Sequence, residues 1–175
     1  MKNKKILVIH PKDPSTDFLS TIYKNMNAMV IRQEIDDKSL NQLIKDSDRV
    51  VMLGHGTPKG LMGPSEKGYI INETHVELLK KKKDNIYIWC HADKFVELQD
   101  LSGFSTGMFI SETIEANIYN IDATETEVTK SNNRFARLVR NYIHKSTKEL
   151  KDIVKENYIL DSDVARYNNE RLYHF

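Results

Sequence analysis

The stretch VVMLGHGTPKGL, residues 50–61, decides the fold. Its first four residues are apolar without polar alternation, as in strands buried on both faces of a helix-covered parallel sheet. The run then ends in Gly54, His55 and Gly56. Glycine on either side strips side-chain cover from the imidazole and frees the backbone. The sequence therefore places an approachable histidine at the end of a buried strand.

Upstream, KKILVIHP (4–11) predicts a first strand stopped by Pro11. Asp13, Ser15, Thr16 or Asp17 can cap a helix over 18–26, and AMVIRQEI (28–35) follows as the second strand. Asp36 or Asp37 opens a helix through Lys45. Downstream, KGLMGPSEKGYIIN (59–72) reads as a small hairpin turned by Gly63, Pro64 and Gly68. Thr74, with Glu77 three residues on, predicts a capping box for a helix over 75–83. NIYIWCH (85–91) is the fourth strand, 92–101 a short helix and TGMFIS (106–111) a weaker fifth strand; 114–121 fits strand or helix.

From Val128 the pattern is helical. Phe135, Leu138, Val139 and Tyr142 share one face, and Leu150, Ile153, Val154 and Tyr158 another. Tyr142, Tyr158, Tyr167 and Tyr173 either cover the sheet or offer a partner surface, and residues 161–175 are polar enough to fray or to pack on another subunit. Strands alternating with helices predict an α/β three-layer sandwich with a mostly parallel central sheet. The expectation is a single domain over 1–175, in which 126–175 is a helical C-terminal part.

The 175 residues include 26 basic and 25 acidic side chains, for a net charge of +1. No global field attracts nucleic acid or anionic lipid, so neither is expected as a partner. The basic block at 80–83 follows an amphipathic pattern, where cations meet the negative end of a helix dipole. The N-terminal stretch MKNKKILVIHP has too few apolar residues for a signal peptide or a membrane span, which predicts a cytoplasmic protein. Cys90 is the single cysteine, so internal disulfides and CxxC motifs are excluded. Oligomeric state is not legible.

Ligand crevices of open parallel sheets lie beyond the carboxyl ends of the strands. His10, His55, Cys90 and His91 fall there. If the third and fourth strands are neighbours, their axes are about 4.8 Å apart, and His55 and Cys90 project from adjacent points of one edge. An imidazole beside a thiol is the pairing that nucleophilic catalysis needs, and a helix starting near Ala92 points its N-terminus at the sulfur. The N–H groups of Gly56 and Cys90 can receive a developing oxyanion. The rivals carry less. His10, His55, Cys90, His91 and Asp93 offer metal donors in an order that matches no metal motif. GHGTPKG lacks the spacing of a phosphate loop, and CHADKFV has Val96 where a CX5R phosphatase needs arginine.

An apolar strand ending in His-Gly (VVMLGHG), a hairpin insert, a helix and an apolar strand ending in Cys (IYIWC, 86–90) together resemble the caspase-like cysteine peptidases. Clostripain, gingipains, separase, caspases and CHAT domains are of this kind. The resemblance runs over about residues 4–112 in element order and implies a His55–Cys90 dyad. In this family an acidic pocket residue accompanies cleavage after Arg or Lys, and Asp93 and Glu112 lie near the predicted edge. Trp89 before the cysteine and His91 after it are larger than the residues common there. The expected function is a cysteine endopeptidase, or a related acyl-transfer hydrolase, acting on a protein or peptide without a cofactor. A catalytically inactive caspase-like binding module and a metal-binding hydrolase at the same edge are the alternatives.

Overall fold

The computed structural model describes residues 4–66 and 68–175. The apolar runs form β1 (Ile6–Ile9), β2 (Ala28–Ile31), β3 (Arg49–Leu53), β7 (Ile86–Ile88) and β8 (Phe104–Thr106), with the small strands β4 (Gly56–Thr57), β5 (Gly60–Met62) and β6 (Tyr69–Ile71) between β3 and β7. A last strand, β9 (Leu172–His174), completes a six-stranded sheet of order β2-β1-β3-β7-β8-β9. Every pairing is parallel except that of β9, which runs antiparallel to β8. Strands β4, β5 and β6 form a separate antiparallel sheet.

Alternate strand residues feed two cores, because successive side chains leave a strand on opposite faces. Leu7, Ile9, Val50, Met52 and Tyr87 pack on one side with Leu40, Ile44 and Phe95, contributed by α1 (Asp37–Asp46) and α3 (Ala92–Leu98). Val8, Val51, Leu53, Ile86 and Ile88 pack on the other with Leu19, Phe135, Val139 and Leu150. These come from the 3-10 helix Pro14–Tyr23, α5 (Glu125–Tyr142) and α6 (Thr147–Asn157). The molecule is thus an α/β fold with a mostly parallel sheet and helices on both faces. Among the described residues no helix is long and apolar enough to cross a membrane.

Helix starts follow local chemistry. Thr124 with Glu127 and Ser146 with Glu149 make reciprocal capping boxes for α5 and α6. Asp36 accepts from Ser39 N–H at the start of α1, and Ser162 from Ala165 N–H at the start of α7 (Asp163–Glu170).

Several sequence expectations shift. The first helix is a 3-10 helix over Pro14–Tyr23, started by Asp13 and by Pro14 at its first position. The expected hairpin is a three-stranded sheet that already begins at Gly56. Asn72, not Thr74, caps the segment before α2 (Val76–Leu79), and its box partner is His75. The fifth strand lies at 104–106, ahead of the TGMFIS run, and the ambiguous segment is helical as α4 (Thr113–Ile118). The C-terminal part is not wholly helical, and residues 161–175 pack on this chain itself as α7 and β9. Gly103 and Phe175 exchange backbone hydrogen bonds, which extends β9 by one residue.

Candidate active site

Strands β3 and β7 are direct neighbours, with Leu53 opposite Ile88. Gly54 N–H continues the ladder to Ile88 O at 3.0 Å, and its φ of +143° is a conformation open to glycine and hardly to other residues. His55 and Cys90 therefore leave the two strands side by side. Both line a cavity of about 20 Å³, walled by Thr16, Phe18, Leu19 and Phe109. That volume is room for about one water molecule.

Gly56 has its own reason to be glycine. A Cβ there would stand 2.1 Å from Trp89 Cδ1 and 2.6 Å from Gly60 O. Trp89 cannot retreat, since its Nε1 donates to Thr57 O at 3.0 Å and its ring packs against Tyr87 and Phe95. The pairing register leaves Gly56 N–H available. Met62 N donates to His55 O, and antiparallel pairs alternate between bonded and non-bonded. Gly56, opposite Leu61, is then the non-bonded position, and its N–H points away from β5.

His55 is held from the loop after β1. Asp13 Oδ1 accepts both the N–H of Ser15, at 2.8 Å, and its hydroxyl, at 2.6 Å. Ser15 Oγ lies 2.6 Å from His55 Nε2, which is itself 3.7 Å from Asp13 Oδ1. A serine hydroxyl has one proton, and the carboxylate takes it, so the contact to the ring requires Nε2–H to donate. The lone pair is thereby assigned to Nδ1, which has no hydrogen-bond partner among the described residues. The Ser15 donors, with smaller help from His55, hold the Asp13 carboxyl below the usual carboxylate range.

Cys90 is half-buried, and its thiol donates to Phe109 O at 3.6 Å. Burial, reinforced by the Glu115 carboxylate, pushes the thiol up to about 11. At neutral pH the sulfur is protonated. His91 turns the chain from β7 into α3 with a φ of 65°.

Phe109 belongs to a strap, residues 107–111, that is pinned from the C-terminal helices. Asn168, fully buried, accepts from Ile110 N–H at 2.8 Å and donates to Ile110 O at 2.9 Å. Asn132 donates to Ser111 O at 2.9 Å. Exchanging Asn168 for alanine removes two hydrogen bonds of about 1 kcal/mol each and should raise the open population of the strap about thirtyfold. Iodoacetamide capture of Cys90, followed by mass spectrometry, should accelerate accordingly. An unchanged rate would mean that the strap does not govern access.

The other sequence candidates lie elsewhere. His10 is buried against Tyr23 Oη and Thr16 Oγ1, at 2.9 and 3.3 Å, and does not line the cavity. Asp93 is buried on α3 with Lys94 Nζ 4.0 Å from Oδ2, and its Oδ1 has no hydrogen-bond partner among the described residues. Glu112 is exposed at the start of α4, where its N–H donates to Glu115. Neither carboxylate lines the cavity. The metal set considered from sequence is not brought together. Asp13, Ser15 and Glu115 were not singled out as site residues, although Asp13 and Ser15 stand in the sequence as cap candidates.

Comparison of the chain with protein-family profiles, curated proteins and solved structures finds no match to any of them.

Proposed function

We propose that the chain is a cysteine peptidase of caspase-like type, or a related acyl-transfer hydrolase, acting on a protein or peptide. The reading is carried by one observation. His55 and Cys90 leave adjacent parallel strands and line one cavity, with a small antiparallel sheet inserted between those strands.

The chemistry follows from the proton positions. As Cys90 Sγ adds to the carbonyl carbon, His55 Nδ1 takes the thiol proton, because no thiolate is stored beforehand. The imidazolium so formed is stabilised by Asp13 through Ser15. The carbonyl oxygen gains charge beside the N–H groups of Gly56 and Cys90. Collapse expels the amine, which carries off the proton from Nδ1. Water activated by the same nitrogen then cleaves the thioester. Substrate must first displace the strap that brings Phe109 O to the sulfur.

Peptidyl acyloxymethyl ketones bearing Arg, Lys or Asp next to the reactive carbon test this. At least one should alkylate Cys90, and His55→Ala should slow that labelling about a hundredfold while leaving the folded state intact by circular dichroism. Labelling at an equal rate without His55, or none with any of the three, would overturn the reading.

A further inference from the structure

Asp13, His55 and Glu66 each present one donor atom, and the three atoms lie within 4.8 Å of one another. Asp13 and His55 are half-buried and Glu66 is exposed. Among the described residues this is the one group of three or more histidine, cysteine or carboxylate side chains close enough to share an ion. We propose that Asp13, His55 and Glu66 form a divalent-cation site of zinc type that switches His55 off as a base.

The donor set selects the ion. One imidazole nitrogen with two carboxylate oxygens suits zinc, with water completing the coordination, whereas calcium and magnesium favour all-oxygen shells. Zinc bonds of about 2.1 Å require donors roughly 3.4 Å apart. The Asp13 Oδ1 to His55 Nε2 separation of 3.7 Å is already near that value. Glu66, at the surface on the 3-10 turn Pro64–Glu66, can close the remaining distance, and Ser15 Oγ must turn aside from Nε2.

The regulatory consequence rests on the dyad proposed above. In the cation-free ring Nε2 carries the hydrogen and Nδ1 the lone pair. A cation on Nε2 needs that lone pair, so the ring hydrogen moves to Nδ1 and the neutral imidazole can no longer accept the thiol proton. No proton is lost from the ring, and the switch is a change of tautomer. The same ion also displaces Ser15 Oγ from the ring nitrogen it now holds.

Zinc binding is measured directly, by calorimetry on the full chain. The wild type should bind one equivalent. Glu66→Gln should weaken binding at least about tenfold, since it replaces a charged ligand with a poor one, and Cys90→Ser should leave it unchanged. Absence of binding overturns the proposal, as does a site that survives Glu66→Gln but is lost with Cys90→Ser, which would place the ion on the thiol. Ketone labelling of Cys90 reads the switch. Zinc should suppress it in the wild type and leave Glu66→Gln labelled at its basal rate, while calcium does neither. If the ketones never label Cys90 yet calorimetry gives the expected pattern, the metal site stands and the peptidase reading falls. If labelling depends on His55 but ignores zinc, the switch falls and the peptidase stands.

Discussion

Exchange of Gly56 for alanine should destabilise the protein by about 3 kcal/mol and lower its melting temperature by about 9 °C. The added methyl meets Trp89 Cδ1 at 2.1 Å and Gly60 O at 2.6 Å, distances no carbon tolerates. Flexible neighbours yield cheaply, but these do not. Gly60 O is backbone of the strand paired with β4, and the indole is tied to Thr57 O and wedged between two aromatic rings. The strain must spread into β7 and displace the residue after Trp89, which is Cys90. Thermal unfolding followed by circular dichroism measures the loss. A double-mutant cycle with Trp89→Ala isolates its origin, because the alanine at 56 should cost far less once the indole is gone. An unchanged transition in Gly56→Ala would show that the hairpin and the tryptophan can part freely.

Acidification from pH 7 to pH 4 should remove about 3 kcal/mol of stability through His10. His10 is fully buried, and desolvation, with Arg32 adding to it, lowers the ring from 6.5 to about 4. The carboxylates of Asp17 and Asp13 and the carbonyl side of Thr16 act the other way and do not prevail. The sign follows from which state protonates first. As pH falls below about 6.5 the unfolded chain takes up the proton, while the folded protein resists until about pH 4, so equilibrium moves toward unfolding throughout that window. Above about pH 6.5 the stability is whole. Burial also lowers His75 and His174, which adds in the same direction. Urea midpoints at pH 7 and pH 4.5 give the difference, and His10→Asn should flatten it. A steep slope retained in that variant would assign the acid sensitivity to other groups. The 3-10 helix carrying Ser15, Thr16 and Tyr23 should be the first element to loosen.

The parallel strands were legible because burial on both faces writes itself as continuous Val, Ile and Leu, and β1, β3 and β7 stand where those runs stand. The strand-end positions of His55 and Cys90 followed from the same pattern. Strand β9 left no such mark. It is three residues long with two of them exposed, and it is a strand only because β8 offers it hydrogen bonds. Asp13 and Ser15 were visible as cap residues, a local role that Asp13 does fill. Their hold on His55 spans 40 residues, and no periodicity encodes a contact at that separation. The protonated state of Cys90 was equally hidden. It arises from burial, reinforced by Glu115, and neither carries a motif.

Trp89 has an optical consequence. The chain contains one tryptophan, so all indole emission comes from the residue bonded to Cys90, packed over Gly56 and facing Phe95. Solvent entering when the strap lifts, a reagent arriving on the sulfur, or a hairpin drawn aside would each change the surroundings of that single chromophore. The chain thus carries a built-in fluorescence gauge of the cavity that His55 and Cys90 line, with no second indole elsewhere to dilute the signal.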